Sequence, residues 1–171
     1  MKRFILTGVL VVAEVCATSF GRPIPAAAGT ATANMTVQAT VPGVCLISAA
    51  TFNFGSYDPI SAQATSALQV TQNALTVTCT IGDTGVVSLG NGVNSTHATG
   101  TTRAMANGAV YLSYELYNNA AFSTVWDAIN TVSSAGTGLA VSLPVYGKIP
   151  AAQTSASAGT YTDTVVATVN F

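Results

Sequence analysis

The stretch YTDTVVATVNF, residues 161–171, ends the chain on a period-two alternation. Tyr161, Val165, Ala167, Val169 and Phe171 fall on one face and Thr162, Thr164, Thr168 and Asn170 on the other, the pattern of a strand with one side on a core. Neither a turn nor another strand follows, so the edge it forms is expected to stay open. The segment ATANMTVQATV, residues 31–41, alternates as regularly. It places Ala31, Ala33, Met35, Val37, Ala39 and Val41 on one face and Thr32, Asn34, Thr36, Gln38 and Thr40 on the other. A chain that opens on a detached strand and stops one strand early leaves its last edge, and the core beneath it, uncovered, and such an edge invites pairing with another chain. An added segment supplies main-chain hydrogen bonds and drops alternate side chains into the core. The interface is head-to-tail, so it repeats without closing and yields a filament.

Between these ends the same period recurs. In LTVTCTI, Leu75, Val77, Cys79 and Ile81 share a face; in VYLSYELY, Val110, Leu112, Tyr114 and Leu116 alternate with Tyr111, Ser113, Glu115 and Tyr117; in LAVSLPVY, Leu139, Val141, Leu143 and Val145 align. Turn-forming stretches separate them: Gly90-Asn91-Gly92, Asn107-Gly108 and residues 133–138. No helical period stands out beyond the N-terminus. The expected fold is an all-β sandwich. Pro42-Gly43 is the natural break between the N-terminal strand and the body, because proline cannot donate to a ladder. A slip of one residue would swap Met35 and Val37 for Thr36 and Gln38, so the register is expected to be firmly set.

Of 171 residues, 49 % are hydrophobic and only 6 % charged. Mean hydropathy is +0.48, yet after the N-terminus no apolar run approaches the roughly 18 residues of a membrane span. Five basic against six acidic side chains form no basic stripe, which argues against a nucleic-acid partner. Met1, Lys2 and Arg3, the apolar run FILTGVLVV at residues 4–12 and the small residues Ala26, Ala27 and Ala28 read as a secretory signal peptide over residues 1–28. Cleavage after Ala33 is the alternative; a lipid anchor on Cys16 is disfavoured by Glu14 and Val15. Beyond Ala28 the charges are Arg103 and Lys148 against Asp58, Asp83, Glu115, Asp127 and Asp163, a net of −3. Cys45 and Cys79 are the remaining cysteines, and an even pair in an exported chain points to a disulfide, the alternative being two free buried thiols.

Little else carries chemistry. His97 lies in the loop-like NGVNSTHATG, with no nucleophile-elbow signature to support a catalytic triad. One histidine is too few for a zinc site, and Asp58-Pro59 and Gly82-Asp83 read as turns rather than calcium ligands. No cofactor, no metal and no enzymatic activity are expected. Asn94-Ser95-Thr96 is a glycosylation pattern read as a surface loop. Trp126, Tyr111, Tyr114 and Tyr117 are read as core and cross-strand packing in preference to a sugar-binding face. Arg103 and Lys148 are expected to pair with carboxylates across loops, their partners left open.

Over residues 31–171 the sequence resembles the spore coat protein U domain family, which includes subunits of archaic, Csu-type chaperone-usher pili. The resemblance is carried by Cys45 after the N-terminal strand, FNFGSYDP at residues 52–59, LTVTCT around Cys79, residues 100–108 with Arg103, and SYELY. It continues through the Trp126 region, VYGKIPAAQ at residues 145–153 and the closing GTYTDTVVATVNF. Two places depart from the family pattern: Asn118 and Asn119, where an acidic residue is frequent, and Asp127, where glycine follows the tryptophan. The resemblance implies an incomplete immunoglobulin-like sandwich completed by a donor strand from another subunit. It implies as partners a periplasmic chaperone that lends the missing strand, an outer-membrane usher, and sibling subunits.

Carried onto this chain, residues 29–41 are the donor segment, with Ala31, Ala33, Met35, Val37, Ala39 and Val41 as its inserted face, and residues 42–171 are the domain. Cys45 bonds Cys79, and the strand with Tyr161, Val165, Ala167, Val169 and Phe171 borders the acceptor groove. The implied role is a structural subunit of a cell-surface fibre, secreted through the periplasm and serving attachment and biofilm formation. The alternative is a secreted coat or matrix protein using the same domain. Tip adhesins of such systems carry a second domain, for which the 143 residues left after Ala28 have no room.

Overall fold

The structure is a computed structural model and describes residues 28–171. The expected signal peptide, with Glu14 and Cys16, lies outside the described residues up to position 27. The chain falls into two units, Met1–Ala39 and Thr40–Phe171. From residue 28 to residue 44 there is no regular secondary structure and every residue is exposed. Met35 and Val37 are 84 % and 82 % exposed. The strand expected at residues 31–41 is therefore not formed here; a strand exists only through the ladder it makes with a neighbour.

The second unit is built from β1 (Cys45–Ala49), β2 (Leu68–Cys79), β3 (Thr84–Leu89), β4 (Arg103–Asn107), β5 (Val110–Tyr117), β6 (Val132–Ala135), β7 (Val141–Ile149) and β8 (Ala167–Asn170), with one 3-10 turn at Ser95–His97. There is no α-helix among the described residues. One sheet has the order β1-β2-β7-β5-β4 and the other β6-β3-β8, all pairings being antiparallel. The fold is the expected immunoglobulin-like sandwich, with a core that includes Leu75, Val77, Val87, Leu112, Leu143, Val145, Ile149 and Trp126.

The central pair β2 and β7 shows how sequence sets register. Pro144 sits inside β7, a central strand, where its missing N–H should break a ladder. The register of β2 shifts between Gln72 and Leu75, opposite Val145 and Leu143, so the bulge falls beside the proline. The bulge also changes which residues face inward. Leu68, Val70 and Gln72 alternate with exposed neighbours before it, and Leu75, Val77 and Cys79 are buried after it. Asn107 and Val110 pair across Gly108 and Ala109, a two-residue hairpin with φ +61° at Gly108, the site where only glycine is unstrained.

Several expected faces are corrected. Ile81 and Leu139 are exposed because β2 ends at Cys79 and β7 begins at Val141, with the turn glycines Gly82 and Gly138 beside them. Phe171 lies one residue past β8 and is 62 % exposed. The polar face of β5 is not solvated: Ser113 and Glu115 are as buried as Leu112 and Tyr114. The Gln153 side chain covers Ser113, donating to its carbonyl and accepting from its N–H, each at 2.8 Å, as a neighbouring peptide would. Glu115 is held by Arg103, itself 0 % exposed, in the ion pair whose partner the sequence left open.

Cys45 and Cys79 are disulfide-bonded and lie opposite each other in the β1–β2 ladder. The preceding tether is fixed to the body. Val44 N–H donates to Thr80 Oγ1 at 3.2 Å, Thr80 N–H donates to the Val44 carbonyl at 2.9 Å, and the Thr80 hydroxyl lies 3.4 Å from the Pro42 carbonyl. Any side chain at Gly43 would meet the Asp83 carboxylate. With the cysteines separated by 34 positions in sequence, opening the bond by Cys45→Ser and Cys79→Ser together is expected to cost about 3 to 4 kcal/mol in the chain-entropy account. Equilibrium urea unfolding of the assembled protein, with and without reductant, checks the figure; unchanged midpoints would contradict it.

Candidate functional site

The site follows from which strands are left at the edges. β1 ends one sheet and β8 ends the other, and the two lie side by side. Among the described residues β1 pairs only with β2, and β8 only with β3. Upstream of β8 the closing segment is held on that same side. Thr162 exchanges both backbone hydrogen bonds with Ala106, Thr164 accepts from Val93, and Val166 accepts from Gly90. Among the described residues no strand pairs with its other side. The inward faces along this seam are half-buried rather than buried: Ile47 on β1, and Tyr161, Val165, Ala167 and Val169 on the closing segment. Core-facing apolar side chains that still meet water mark an uncovered stretch of the core.

The two lips run in opposite directions. At one end a Cβ on Gly85 would lie 2.9 Å from the Val169 side chain and 3.3 Å from Cys45 Sγ, so the start of β1 adjoins the end of β8. At the other end the seam opens into a groove of about 840 Å³, lined by residues 52–60 from one lip and 156–161 from the other, with Met105, Leu112 and Ile149 as its floor. Phe52 and Phe54 are seated there against Gly147 of β7. Their rings are 5.0 Å apart edge-on, and Phe54 meets Tyr114 at 5.7 Å. A Cβ on Gly147 would come within 2.5 Å of Phe52 and 2.7 Å of Phe54. Gly147→Val is therefore expected to push this aromatic lip outward and cost about 1 to 3 kcal/mol by overpacking, read as a lowered melting temperature of the assembled protein.

One polar group interrupts the apolar face. Asp163 Oδ2 accepts from the Tyr114 hydroxyl at 2.8 Å, and Oδ1 accepts from Val93 N at 3.0 Å and from Asn94 Nδ2 at 3.0 Å. Burial, with the hydrogen bond to the Asp163 carboxylate second, holds the Tyr114 phenol above the ordinary tyrosine range. The neutral form is thus favoured in the folded chain. The contribution is intact below the unfolded value of about 10 and is lost as pH rises above it. Stability is expected to fall above about pH 10, and Tyr114→Phe to flatten that fall; a pH series of urea midpoints checks both.

Of the residues singled out from sequence, Tyr161, Val165, Ala167 and Val169 line the seam, Phe171 does not turn inward, and Ala31, Ala33, Met35, Val37, Ala39 and Val41 are exposed in the first unit or the tether. The disulfide stands at one end of the seam. Trp126 and Tyr114 are core. His97 is exposed and stacks on Tyr111 with ring centroids 3.8 Å apart. Asn94 is not a free loop side chain, since its amide is engaged by Asp163. Asp127 accepts from the Ile129 and Asn130 N–H groups, which hold its carboxyl below the usual range, and Asp58 does the same with Ile60 and Ser61, so both close turns. Among the described residues no cluster of His, Cys, Asp and Glu is placed to hold a metal ion, and no helix is long and apolar enough to cross a membrane. Ile47, Phe52, Phe54, Met105 and Asp163 belong to the site without standing out in the alternation of the chain ends. The period-two spacing of Phe52 and Phe54 was the available signal.

Comparison with known proteins places this geometry in context. The Spore Coat Protein U domain matches residues 31–168. Protein U of Myxococcus xanthus is 42 % identical over 165 residues, covering 86 % of this chain and 88 % of that protein. Among solved structures, the chaperone–tip adhesion subunit pre-assembly complex from the archaic chaperone-usher Csu pili of Acinetobacter baumannii contains a chain that superposes with a TM-score of 0.52 at 24 % identity. The match covers 77 % of this chain but spans only 41 % of that one, and it bears on the fold.

Proposed function

This chain belongs to the Spore Coat Protein U domain family, a structural and non-enzymatic one, and from that premise we propose that it is a subunit of a cell-surface fibre assembled by strand donation. Residues 31–41 of one copy enter between β1 and β8 of the next, which part to admit them, and so add a strand to both edges. A periplasmic chaperone covers the seam until assembly, and an outer-membrane usher exports the growing fibre, which serves attachment and biofilm formation. The observation that carries this reading is the open seam itself, with half-buried apolar faces on both lips. A head-to-tail contact of this kind polymerises wherever its rotation does not close into a ring.

The test is a deletion of residues 31–41 in cells that export the chain. Wild-type material is expected to give ladders in unheated SDS samples and surface polymers by electron microscopy, and the deletion neither. Persistence of ladders without residues 31–41 would overturn the donor assignment. A second reading, a coat or extracellular matrix built by the same exchange, is favoured by the match to the Spore Coat Protein U domain over residues 31–168. Micrographs separate the two, since the first gives thin fibres and the second a continuous layer.

A further inference from the structure

We propose that the donor enters the seam in one register, antiparallel to the closing segment, with Met35 opposite Ala167, Ala33 opposite Val169 and Ala39 opposite Asp163. The inference rests on the strand-donation reading and adds to it which residues choose the fit. Direction comes first. In a complete sandwich the strand after β8 would return through a hairpin and so run antiparallel to it. A donor that takes that place runs antiparallel to β8 and, because the lips oppose each other, parallel to β1.

Register follows from side-chain size at three levels. At Val169 the seam is narrowed by the Cys45–Cys79 bond and by Gly85, where even a Cβ would sit 2.9 Å from both Cys79 Sγ and the Val169 side chain. Only a small donor residue fits, and Ala33 is one. At Ala167 the lip itself is small and half-buried, which leaves room for the longest inserted side chain, Met35. At Asp163 the carboxylate is engaged by Tyr114, Val93 and Asn94 and is only half-buried. A branched apolar residue packed over it would strip its remaining water, whereas Ala39 leaves space. At the groove end Val41 then meets Tyr161.

Shifts that keep the same face inward move by two residues, and both neighbours fail. One drives Met35 against Val169 and the disulfide and sets Val41 over Asp163. The other sets Val37 over Asp163, crowds Met35 against Val165 and leaves a gap between Ala33 and Ala167. The register is thus specified by a small–large–small pattern in the donor rather than by hydrophobicity alone.

The test is disulfide trapping in the full chain, exported and assembled by its own cells. Met35→Cys with Ala167→Cys is expected to give oxidation-dependent ladders that survive boiling in SDS, whereas Val37→Cys with Ala167→Cys, one shift away, gives none. A boiling-resistant ladder from the shifted pair, or from neither pair while unboiled ladders persist, would overturn the register and leave strand donation standing. Absence of any ladder from the unsubstituted chain would remove strand donation itself, and the register with it. Because paired cysteines can perturb folding, a single substitution is read alongside. Ala39→Leu is expected to lower the temperature at which unboiled ladders dissociate by several degrees more than Val37→Leu, and the reverse order would overturn the role given to Asp163.

Discussion

Met35→Asp or Val37→Asp is expected to abolish polymerisation while leaving each subunit competent to occupy its chaperone. Both side chains are fully displayed in the free segment, at 84 % and 82 % exposure, so an aspartate there costs the unassembled chain nothing measurable. The penalty appears on insertion. The seam that strand donation would fill is lined by Ile47, Val165, Ala167 and Val169, none of whose side chains offers a hydrogen-bond partner or a positive charge. A carboxylate moved there loses its water without compensation, at about 3 to 5 kcal/mol, which lowers the association constant by roughly a hundredfold to several thousandfold. The acceptor groove of the same variant is untouched, so chaperone capture proceeds. Thr36→Asp, on the opposite face, should assemble almost normally. Ladders in unheated samples and co-purification with the chaperone measure the two halves, and normal ladders from either inward variant would refute the donor face.

The second large effect is expected inside the domain. Arg103 is 0 % exposed and Glu115 3 %. The guanidinium pairs with Glu115, and it also donates to the Gly90 carbonyl at 3.0 and 2.8 Å and to the Trp126 carbonyl at 2.6 Å. Glu115 in turn accepts from the Thr102 N–H at 2.8 Å and from its hydroxyl. Among the described residues no buried side-chain polar atom is left without a partner. Arg103→Met leaves the carboxylate buried without its cation and is expected to destabilise the subunit by about 3 to 5 kcal/mol. The double change Arg103→Met with Glu115→Leu should cost clearly less than the single one, because removing both charges removes both desolvation penalties. Trp126 is the only tryptophan of the chain. It is fully buried and donates to the Val87 carbonyl at 3.0 Å, so its fluorescence reports the unfolding midpoint directly. A double variant less stable than Arg103→Met alone would contradict the account.

Period-two alternation made the sandwich legible, because β2, β5, β7 and the closing segment each carry it over several residues, and the even cysteine pair made the disulfide legible. What escaped is physical in origin. Alternation distinguishes two faces but not which of them is solvated: Ser113 and Glu115 alternate with the apolar residues of β5, yet Gln153, 40 residues away, covers the first and Arg103 of the neighbouring strand β4 covers the second. It says nothing about where a strand stops: Ile81, Leu139 and Phe171 continue the pattern, but the backbone leaves the strand before reaching them. The bulge opposite Pro144 shifts inward positions from even to odd within β2, a parity change that belongs to the pairing and not to either strand. The lips of the seam were half legible: the closing segment carries its pattern over many residues, whereas the aromatic lip offers only the period-two spacing of Phe52 and Phe54, and the room that Gly147 makes for it belongs to the tertiary packing.

The attachment of the tether carries a mechanical meaning. A polymer joined through residues 31–41 transmits tension into each subunit at Pro42, Gly43 and Val44, immediately before Cys45. Thr80 clasps that entry point, and the next covalent atom pair inward ties β1 to β2, which lies inside its sheet against β7. Pulling on such a string therefore cannot peel the edge strand away from its first residue. The strain is handed sideways to the interior of the sheet through a bond that does not yield, and shear along many hydrogen bonds replaces unzipping one at a time.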